Sequence, residues 1–339
     1  MKTINNFFLL VLAGGLLTFS ACSDDIEREP SPIVPEGCQG AAFSTINEYD
    51  YELEPEAAME ITLVVTREKS EGAATVGVEV LNNTENIFEV PATVSFADGE
   101  TEAPLTLKFP NAEVGISYNY SLKFAEGDYN PYSDKTTYAS GNIIRIKWNP
   151  LETVIYTDGM ISTVYGVDYP MSWYVNAEYA SFTDGSLRVR IKNPYCVAEN
   201  IDDNGIYDGY PYLDEDNIIN SNVKMQIDID GEEAIIPALK FGAFLNSGDG
   251  QLIGGSAFGV FQGGKDKYPL GEVAYDKEGN LVSIIFGPNS LFASVESLWA
   301  EGKAGIAANP TTLFFSLESW KKYAVSYTHL RAHETPEHL

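Results

Sequence analysis

The sequence predicts an all-β protein, in which an antiparallel β-sandwich is followed by a second antiparallel β domain. Short runs of β-branched and aromatic residues alternate with polar residues at the period of two that half-buried strands show. Turn signals such as Asp98-Gly99 and Asp230-Gly231 separate these runs. Helical periodicity is weak outside residues 290–302, and a chain of 339 residues is long enough for two domains.

The first residues have the features of a secretory signal. Lys2 provides a short positive region, and an apolar core covers residues 7–19. That core is shorter than the roughly 20 apolar residues that a membrane-spanning helix needs. The small residues Ser20 and Ala21 follow it, as at a signal-peptidase cleavage site. We therefore expect residues 1–21 to be removed as a signal peptide.

Cys22 comes directly after this cleavage position. The stretch from Thr18 to Cys22 resembles the lipobox of bacterial lipoproteins, with Phe19 where such boxes usually have leucine. The resemblance implies that Cys22 becomes the first residue of the mature protein and carries a lipid anchor. The alternative is ordinary cleavage after Ala21 without lipid attachment.

The residues after Cys22 are polar and rich in proline, which favours extended backbone and opposes helix. We expect residues 22–40 to form a flexible tether. Asp24, Asp25 and Glu27 resemble the export signal that sends Bacteroidetes-type lipoproteins to the outer face of the outer membrane. This resemblance implies a protein on the extracellular side of the bacterial outer membrane; the alternative is a solvated charged linker.

Residues 41–149 carry the strands of the predicted sandwich. The strands are predicted at Glu60–Thr66, Ala74–Val80, Phe88–Phe96, Pro104–Phe109, Ser117–Phe124 and Asn142–Trp148. Short strands at this spacing, over about 100 residues, are typical of an antiparallel β-sandwich.

Part of this region resembles a Calx-beta-type immunoglobulin-like domain, over residues 58–124. The resemblance is carried by Val65-Thr66-Arg67, by Gly72 with the alternating valines after it, by Thr93–Glu100 and by Leu105–Phe109. It implies an immunoglobulin-like sandwich that acts as a spacer or presentation module. Members that bind calcium have acidic residues after the strand that ends here at Phe109. This chain has Pro110-Asn111 instead, so calcium binding is not inferred from the resemblance.

Asn149-Pro150 marks the boundary with a second strand-rich region, residues 150–325. A turn is predicted at Tyr156–Gly159, a glycine-rich stretch covers residues 248–264, and residues 290–302 could form a short helix. The strands are predicted at Met160–Tyr165, Met171–Tyr179, Ser186–Lys192, Val223–Ile229, Glu233–Phe241, Asn280–Phe286 and Thr312–Ser316.

The succession of the Tyr-Thr-Asp-Gly turn, an aromatic strand and Arg188–Tyr195 resembles uncharacterised C-terminal domains of Bacteroidetes-type surface lipoproteins, over about residues 150–260. This resemblance implies an architecture and a location, and it brings no reaction with it.

The end of the chain differs in composition. All three histidines, His329, His333 and His338, lie within residues 326–339. This stretch resembles the translation of a sequencing-adapter read-through, and we expect it to be an artefactual tail. The alternatives are a histidine-rich metal-binding tail and an ordinary chain end.

Composition excludes several functions. The formal charge of −28 opposes binding to nucleic acid, whose phosphates attract lysine and arginine. Because no histidine precedes His329, the two domains cannot assemble a Ser-His-Asp triad or a histidine-based zinc site. Besides Cys22 the chain has Cys38 and Cys196, so we expect stability from apolar cores rather than from disulfides.

The densest acidic run, residues 199–217, is a candidate calcium loop. Calcium prefers several oxygen ligands from a flexible loop with a glycine turn. The candidate ligands are Asp202, Asn204, Asp208, Asp214 and Asp216. Their spacing is not that of an EF-hand. The alternative is a solvated acidic loop, and no other cofactor is expected.

Aromatic residues in and near this loop are candidates for ligand binding. They are Tyr207, Tyr210 and Tyr212 in the loop, and Trp173 with its neighbour Tyr174 in a predicted strand. Rings beside carboxylates and amides suit the C–H faces and hydroxyl groups of sugars. Trp173 and Tyr174 are adjacent in a strand, so only one of them can face the core. Core packing is the alternative role for these rings.

Together these features predict a non-catalytic surface lipoprotein that binds an extracellular ligand such as a glycan. The analogy is with proteins of starch-utilisation-type outer-membrane systems, which work with a transporter complex, and it rests on location. A second hypothesis is an adhesin or structural surface protein with protein partners. A third is a carboxylate-based glycoside hydrolase, since two carboxyls about 5–9 Å apart cannot be recognised in a sequence.

Overall fold

The structure is a computed structural model that describes residue 31 and residues 33–164, 166, 171–211, 222–244 and 248–334. Cys22 and the signal segment lie outside the described residues, as do Tyr212, Asp214 and Asp216. Strands dominate, and the all-β prediction is confirmed. Among the described residues, no helix combines the length and apolar character needed to traverse a bilayer.

The first domain consists of two sheets. Its strands are β1 (Ala42–Phe43), β2 (Tyr51–Leu53), β3 (Glu60–Thr66), β4 (Ala74–Asn83), β5 (Thr93–Phe96), β6 (Glu102–Lys108), β7 (Ser117–Phe124) and β8 (Tyr138–Arg145). One sheet has the order β1-β3-β6 and the other the order β2-β8-β7-β4-β5. The pairing is antiparallel except between β2 and β8, which run parallel and depart from the predicted antiparallel arrangement.

The core of this sandwich follows from the alternation in its strands. In β3 the side chains of Ile61, Leu63 and Val65 are buried, and Glu60 and Thr62 are exposed. The buried side chains belong to one cluster with those of the facing sheet. The period of two therefore places one face of each strand between the two sheets.

The second domain contains the remaining strands and the helices. The strands are β9 (Asn149–Thr157), β10 (Ser172–Ser181), β11 (Leu187–Lys192), β12 (Lys224–Asp230), β13 (Glu233–Ile235), β14 (Leu239–Phe244), β15 (Gln251–Ser256), β16 (Gly271–Tyr275), β17 (Leu281–Phe286), β18 (Leu291–Val295), β19 (Gly305–Ile306) and β20 (Thr311–Phe314). The helices are α1 (Met160–Val164), α2 (Gly264–Lys267), α3 (Glu296–Ala300) and α4 (Leu317–Glu334).

Eight of these strands close into an antiparallel barrel with the order β9-β10-β11-β12-β13-β16-β17-β20. A separate four-stranded sheet has the order β14-β15-β18-β19. Side chains of the barrel, such as Trp173 and Ile227, share one apolar core with side chains of the smaller sheet, such as Phe241 and Leu252. The barrel and the smaller sheet are thus packed together as one domain.

The predicted strand at Met160–Tyr165 is wrong, because α1 occupies residues 160–164. The backbone N–H groups of Ile161 and Ser162 donate to Asp158 Oδ2 at 2.7 and 3.2 Å, so the Asp158 carboxylate caps the helix. This local capping outweighs the strand propensity of the residues that follow.

Asp158 is fully buried, and its other carboxylate oxygen is also bonded. The hydroxyls of Tyr156 and Tyr195 donate to Oδ1 at 3.0 and 2.8 Å. Burial raises the pKa of Asp158, and the donated hydrogen bonds offset part of that rise. The Asp158 carboxyl therefore joins α1 to the aromatic side chains of the barrel core.

Two other segments differ from expectation. Residues 290–302 form strand β18 before the short helix α3, so the predicted helix is confirmed at its C-terminal half.

The last residues of the predicted flexible tether are packed on the sandwich, because Cys38 is 3% exposed and the Gln39 carbonyl accepts the Glu68 N–H at 2.9 Å. Helix α4 continues into residues 326–334.

Arg190 of β11 contacts both domains. Its Nη1 lies 2.6 Å from Glu52 Oε1 in β2 of the sandwich, and its guanidinium also pairs with Glu178 in β10 of the barrel. The guanidinium lies 3.8 Å from the ring centroid of Trp148, whose Nε1 donates to the same Glu52 oxygen. These contacts form a clamp, made of Arg190, Glu52, Glu178 and Trp148, that joins the two domains.

We predict that Asp158→Ala lowers the free energy of unfolding of the second domain by about 3 kcal/mol or more. The substitution removes a helix cap and leaves two buried tyrosine hydroxyls without their acceptor. Urea unfolding followed by tryptophan fluorescence would measure the change. Asp184→Ala, which removes an exposed turn carboxylate, is the control and should cost far less. A loss below about 1 kcal/mol for Asp158→Ala would contradict the role of this carboxyl.

Candidate functional site

A groove with a cavity volume of about 780 Å³ runs along β9 and β10 and is closed on one side by the loop that follows β11. We call it the β9–β10 groove. Its walls are formed by Pro150, Leu151, Glu152, Thr153, Val154, Tyr174, Val175, Asn176, Ala177, Glu178, Lys192, Asn193, Cys196 and Asp208.

Strand β10 directs its two large aromatic residues to opposite sides. Trp173 is fully buried, and its Nε1 donates to the Pro194 carbonyl at 2.8 Å. Tyr174 is partly exposed and lines the groove. The expectation that only one of the two rings could face the core is confirmed.

The burial of Trp173 and Tyr210 corrects their assignment as ligand-binding residues. Both rings belong to the core, with their centroids 4.8 Å apart, and Tyr210 is 1% exposed. They pack with Tyr156 and Tyr195 in an aromatic cluster beneath the groove. Because solvent does not reach these faces, they cannot stack on a ligand; they hold strand β10 and the loop together from inside.

Tyr207 lies between the buried ring of Tyr210 and the solvent, with its backbone paired to β10. Its carbonyl accepts the N–H of Tyr174 at 2.8 Å, and its own N–H donates to the Ser172 carbonyl at 3.1 Å. The loop thus adds a short piece of strand alongside β10. The Tyr207 ring packs against the core and stays partly exposed.

Asp202 and Asp208 give the loop its shape. Asp202 Oδ1 accepts the backbone N–H groups of Asn204 and Ile206, each at 2.9 Å. Asp208 Oδ1 accepts those of Glu199 and Asn200 at 2.9 and 2.7 Å. Aspartates commonly close turns in this way.

The calcium prediction gains no support from these residues. The carboxylates of Asp202 and Asp208 are occupied by backbone and amide donors, and Asn204 Nδ2 donates to Asp202 Oδ2 at 3.0 Å. Within the described residues, no group of three or more acidic, cysteine or histidine side chains is arranged to hold a metal ion. The other two candidate ligands, Asp214 and Asp216, lie outside the described part of the chain.

Asp202 also fixes the groove wall. The Tyr174 hydroxyl donates to Asp202 Oδ2 at 2.8 Å. Hydrogen bonds from the Asn204 side chain and the Ile206 backbone lower the pKa of Asp202 to about 2. Burial and the bond to Asp202 raise the pKa of Tyr174 to about 12. At neutral pH the pair is therefore a phenol donating to a carboxylate, which holds the ring in one orientation.

The end of the groove near the clamp is charged but internally neutralised. Glu178 is 8% exposed; its Oε2 lies 2.7 Å from Lys192 Nζ, and its Oε1 accepts Arg190 Nε at 2.6 Å. Burial alone would raise the pKa of Glu178, but the bonds from Lys192 and Arg190 outweigh burial and lower it. Glu178 is thus held ionised between two cations.

Two side-chain amides complete the groove. Asn176 sits where the pairing of β10 with β9 shifts register between Val175 and Ala177, and such bulges redirect a side chain. Asn193 directly follows β11 and has a positive φ of 48°, which asparagine adopts more readily than most residues. Both residues are exposed, and neither amide bonds to another side chain of the described residues.

One glycine in the loop is required by close packing. A Cβ on Gly209 would lie 2.4 Å from the carbonyl oxygen of Val197. This approach lets Val197 bridge to Tyr210, whose ring anchors the loop in the core.

Sequence reasoning found Tyr174 and the loop but missed the rest of the groove. Asn176 and Glu178 follow Tyr174 at every second position of β10, so the alternation that places Trp173 inside predicts that all three share the outer face. The contribution of Asn193 and Lys192 depends on how β11 ends beside the loop, which has no signal in the sequence.

The sequence matches no protein-family model and no curated protein. Solved structures that resemble this chain include two with low TM-scores. One is a Bacteroides ovatus protein of unknown function, with a TM-score of 0.26 and 10% identity over 81% of this chain and 94% of that chain. The other is an auxiliary nutrient binding protein from Bacteroides thetaiotaomicron, with a TM-score of 0.25 and 11% identity over 78% of this chain and 86% of that chain. What this protein binds is therefore inferred from its own residues.

We predict that the Asp202 carboxyl titrates with a midpoint near pH 2, below the ordinary value of about 3.9. A lowered pKa means that the stabilising effect of this carboxylate on the loop is present above about pH 3.9 and is lost as pH falls through the folded-state value. Carbon-detected NMR of the side-chain carboxyl would follow the titration. Asn204→Ala should move the midpoint upward, because it removes the strongest donor. A wild-type midpoint at the ordinary value would show that the loop is not closed in this way.

Proposed function

We propose that this protein is a lipid-anchored protein of the bacterial outer-membrane surface that binds a neutral glycan in the β9–β10 groove. The observation that carries the proposal is the partly exposed Tyr174 ring, fixed by Asp202, in the same groove as the amides of Asn176 and Asn193. A fixed aromatic face and nearby amides match the two surfaces of a sugar ring.

The chemistry of a sugar explains why these groups belong together. The C–H face of a pyranose is apolar and packs on an aromatic ring, while the hydroxyls at its edge both donate and accept hydrogen bonds. An asparagine amide offers the matching donor and acceptor. A ring already held in place loses little conformational freedom on binding, which favours affinity.

The paired charges of the groove disfavour an anionic ligand. Lys192 and Glu178 are paired with each other, and Arg190 supplies the second cation to Glu178. An anionic ligand would have to compete with Glu178 for Lys192. A neutral glycan leaves these pairs intact and uses the remaining polar groups.

Two of the three groove carboxylates, Glu178 and Asp208, favour binding without catalysis. A general acid in glycoside hydrolysis needs a raised pKa. The pKa values of Glu178 and Asp208 are instead lowered. At Glu178, hydrogen bonds from Lys192 and Arg190 outweigh the effect of burial. At Asp208, hydrogen bonds from the backbone and side chain of Asn200 lower the pKa. These two groups are suited to holding the groove in shape rather than to transferring protons.

The anchor and the partners belong to the same proposal. A lipid on Cys22 would tether the two domains to the membrane, and residues 23–37 would span the gap to the packed sandwich. A chain with a formal charge of −28 is repelled by anionic lipid, so the lipid anchor would supply the attachment. A transporter complex in the same membrane would be the natural receiver of a captured glycan.

Tyr174→Ala is expected to weaken binding of the glycan at least tenfold, because the stacking face is removed. The ligand would be chosen by titrating maltohexaose, xylohexaose, cellohexaose and mannohexaose in a calorimeter, after a glycan array has narrowed the class. Asn176→Ala should weaken the same ligand severalfold through the loss of hydrogen bonds.

Two variants serve as controls for this experiment. Tyr174→Phe keeps the ring and loses the bond to Asp202, so most of the affinity should remain. Tyr132→Ala removes a tyrosine that is 61% exposed on the sandwich and should leave affinity unchanged. If no neutral glycan binds, or if Tyr174→Ala binds as well as wild type, the assignment of the groove fails.

Cys22→Ala is expected to move the protein from the membrane fraction to the soluble fraction, because the thiol that carries the lipid is gone. Metabolic labelling with a palmitate analogue, followed by fractionation, would measure this. Cys196→Ala is the matched control and should remain labelled and membrane-bound. Continued labelling of Cys22→Ala would disprove the lipid attachment site.

A further inference from the structure

The outer side of the sandwich carries polar groups around an aromatic ring. In β7 the side chains of Tyr118, Tyr120 and Leu122 are buried in the core, so the residues between them point away from it. Strand β8 pairs with β7 and aligns its own outward residues with these. We call this surface the sandwich face. It is formed by Ser117, Asn119, Ser121, Lys123, Tyr138, Ser140, Asn142 and Ile144.

The tyrosine ring is held across the sandwich face. Tyr138 is 48% exposed, and its hydroxyl donates to Ser121 Oγ at 3.0 Å. Ser121 Oγ lies in turn 3.0 Å from Ser140 Oγ. Because Tyr138 is paired with Lys123, reaching Ser121 makes the ring lean across the neighbouring strand. The ring thus lies over the strand pair, with part of its surface open to solvent.

Side-chain amides lie further along the same two strands. Asn119 of β7 is directly opposite Asn142 of β8, which places their Cβ atoms about 5 Å apart. Asn82 of β4 is opposite Ser121, on the other side of β7. None of these three amides is hydrogen-bonded within the part of the chain that the structure describes, so their donors and acceptors are available to a ligand.

The charge of the sandwich face is balanced, although the protein is strongly acidic. Lys123 is the charged residue of the face, and its Nζ lies 2.8 Å from Glu79 Oε2 on the adjacent strand β4. The formal charge of −28 therefore comes from other surfaces, where a cationic partner would be attracted more strongly. An anionic partner would have to compete with Glu79 for Lys123. The balance of charge favours a neutral partner.

We propose that the sandwich face binds a neutral polysaccharide. A sugar ring lies on Tyr138, and hydroxyls further along the chain bond to the amides of Asn119 and Asn142, which both donate and accept. Tyr138 and Asn142 are four residues apart in one strand, about 13 Å. That distance exceeds one sugar ring, so the ligand is a chain of several sugars.

This proposal gives the sandwich a binding role in addition to the spacer role expected from its sequence. The sandwich face shares no residue with the β9–β10 groove. A polysaccharide long enough to reach both surfaces would bind more tightly than one held at a single site, because the second contact becomes intramolecular.

A full-length chain with a disabled groove tests the sandwich face by itself. The Tyr174→Ala protein would be run in native gels that contain amylopectin, arabinoxylan, mixed-linkage β-glucan or galactomannan, and retardation would give the affinity. At least one of these neutral polysaccharides should retard it. Adding Tyr138→Ala should weaken that affinity about fivefold or more, because the stacking surface is lost. Adding Asn119→Ala with Asn142→Ala should weaken it severalfold.

Matched variants in the same background show whether the effect belongs to this surface. Tyr132→Ala removes a tyrosine that is 61% exposed in the loop between β7 and β8. This loop bonds to Glu68 after the other sheet, so Tyr132→Ala should leave affinity unchanged. Tyr138→Phe keeps the ring and should retain most of the affinity. Hydrogen–deuterium exchange of the wild-type chain should slow in β7 and β8 when the retarding polysaccharide is added.

Three results would overturn the proposal. They are the absence of retardation of the Tyr174→Ala protein in all four gels, an equal loss of affinity in Tyr138→Ala and Tyr132→Ala, and slowed exchange that leaves out β7 and β8. A dimer in sedimentation equilibrium that Tyr138→Ala separates would also overturn it, since the face would then be covered by a second copy of this chain.

The two binding sites fail separately in this experiment. If Tyr138→Ala weakens polysaccharide binding in the otherwise unmodified chain and Tyr174→Ala does not, the groove assignment fails and the sandwich face stands. The opposite result removes the sandwich face and leaves the groove in place.

Discussion

Arg190 is 8% exposed, and its guanidinium joins the two domains by pairing with a carboxylate from each. A buried cation is costly unless it is paired and hydrogen-bonded. Here Glu178 supplies one carboxylate from the barrel, Glu52 supplies another from the sandwich, and Trp148 covers the guanidinium. The β9–β10 groove is tied to this contact, because Glu178 is part of its wall.

The second domain is organised around polar groups placed inside an apolar core. Asp158 caps α1 and accepts the hydroxyls of Tyr156 and Tyr195, so the buried carboxyl is fully bonded rather than isolated. The same aromatic cluster holds Trp173 and Tyr210. Tyr210 anchors the loop from inside, while Asp202 and Asp208 close it from outside through backbone N–H groups. The groove owes its shape to the buried Tyr210 ring and to the two aspartates together. Without these contacts the loop would not hold Tyr174 in one orientation.

Most strands could be predicted, because alternation is a local property of the sequence and directly reflects one buried face. The same rule placed one of Trp173 and Tyr174 in the core. It failed at Met160–Val164, where the Asp158 cap overrides the propensity of the residues after it. The assignment of Tyr210 to ligand binding, made from its place in an acidic loop, was wrong because the close approach of Gly209 to Val197 brings its ring into the core. Contacts between residues distant in the chain, such as Arg190 with Glu52, leave no periodic signal.

The sequence by itself determined the fold class, the acidic surface and the absence of histidine chemistry from both domains. Each follows from composition or from a short-range pattern. The resemblance of Thr18–Cys22 to a lipobox added the expectation that the protein is lipid-anchored at the bacterial outer membrane. Only the tertiary structure decided the closure of eight strands into a barrel, the contact of Arg190 with both domains and the identity of the groove walls. These features depend on side chains brought together from segments far apart in the chain, and their energies arise only once the chain is folded.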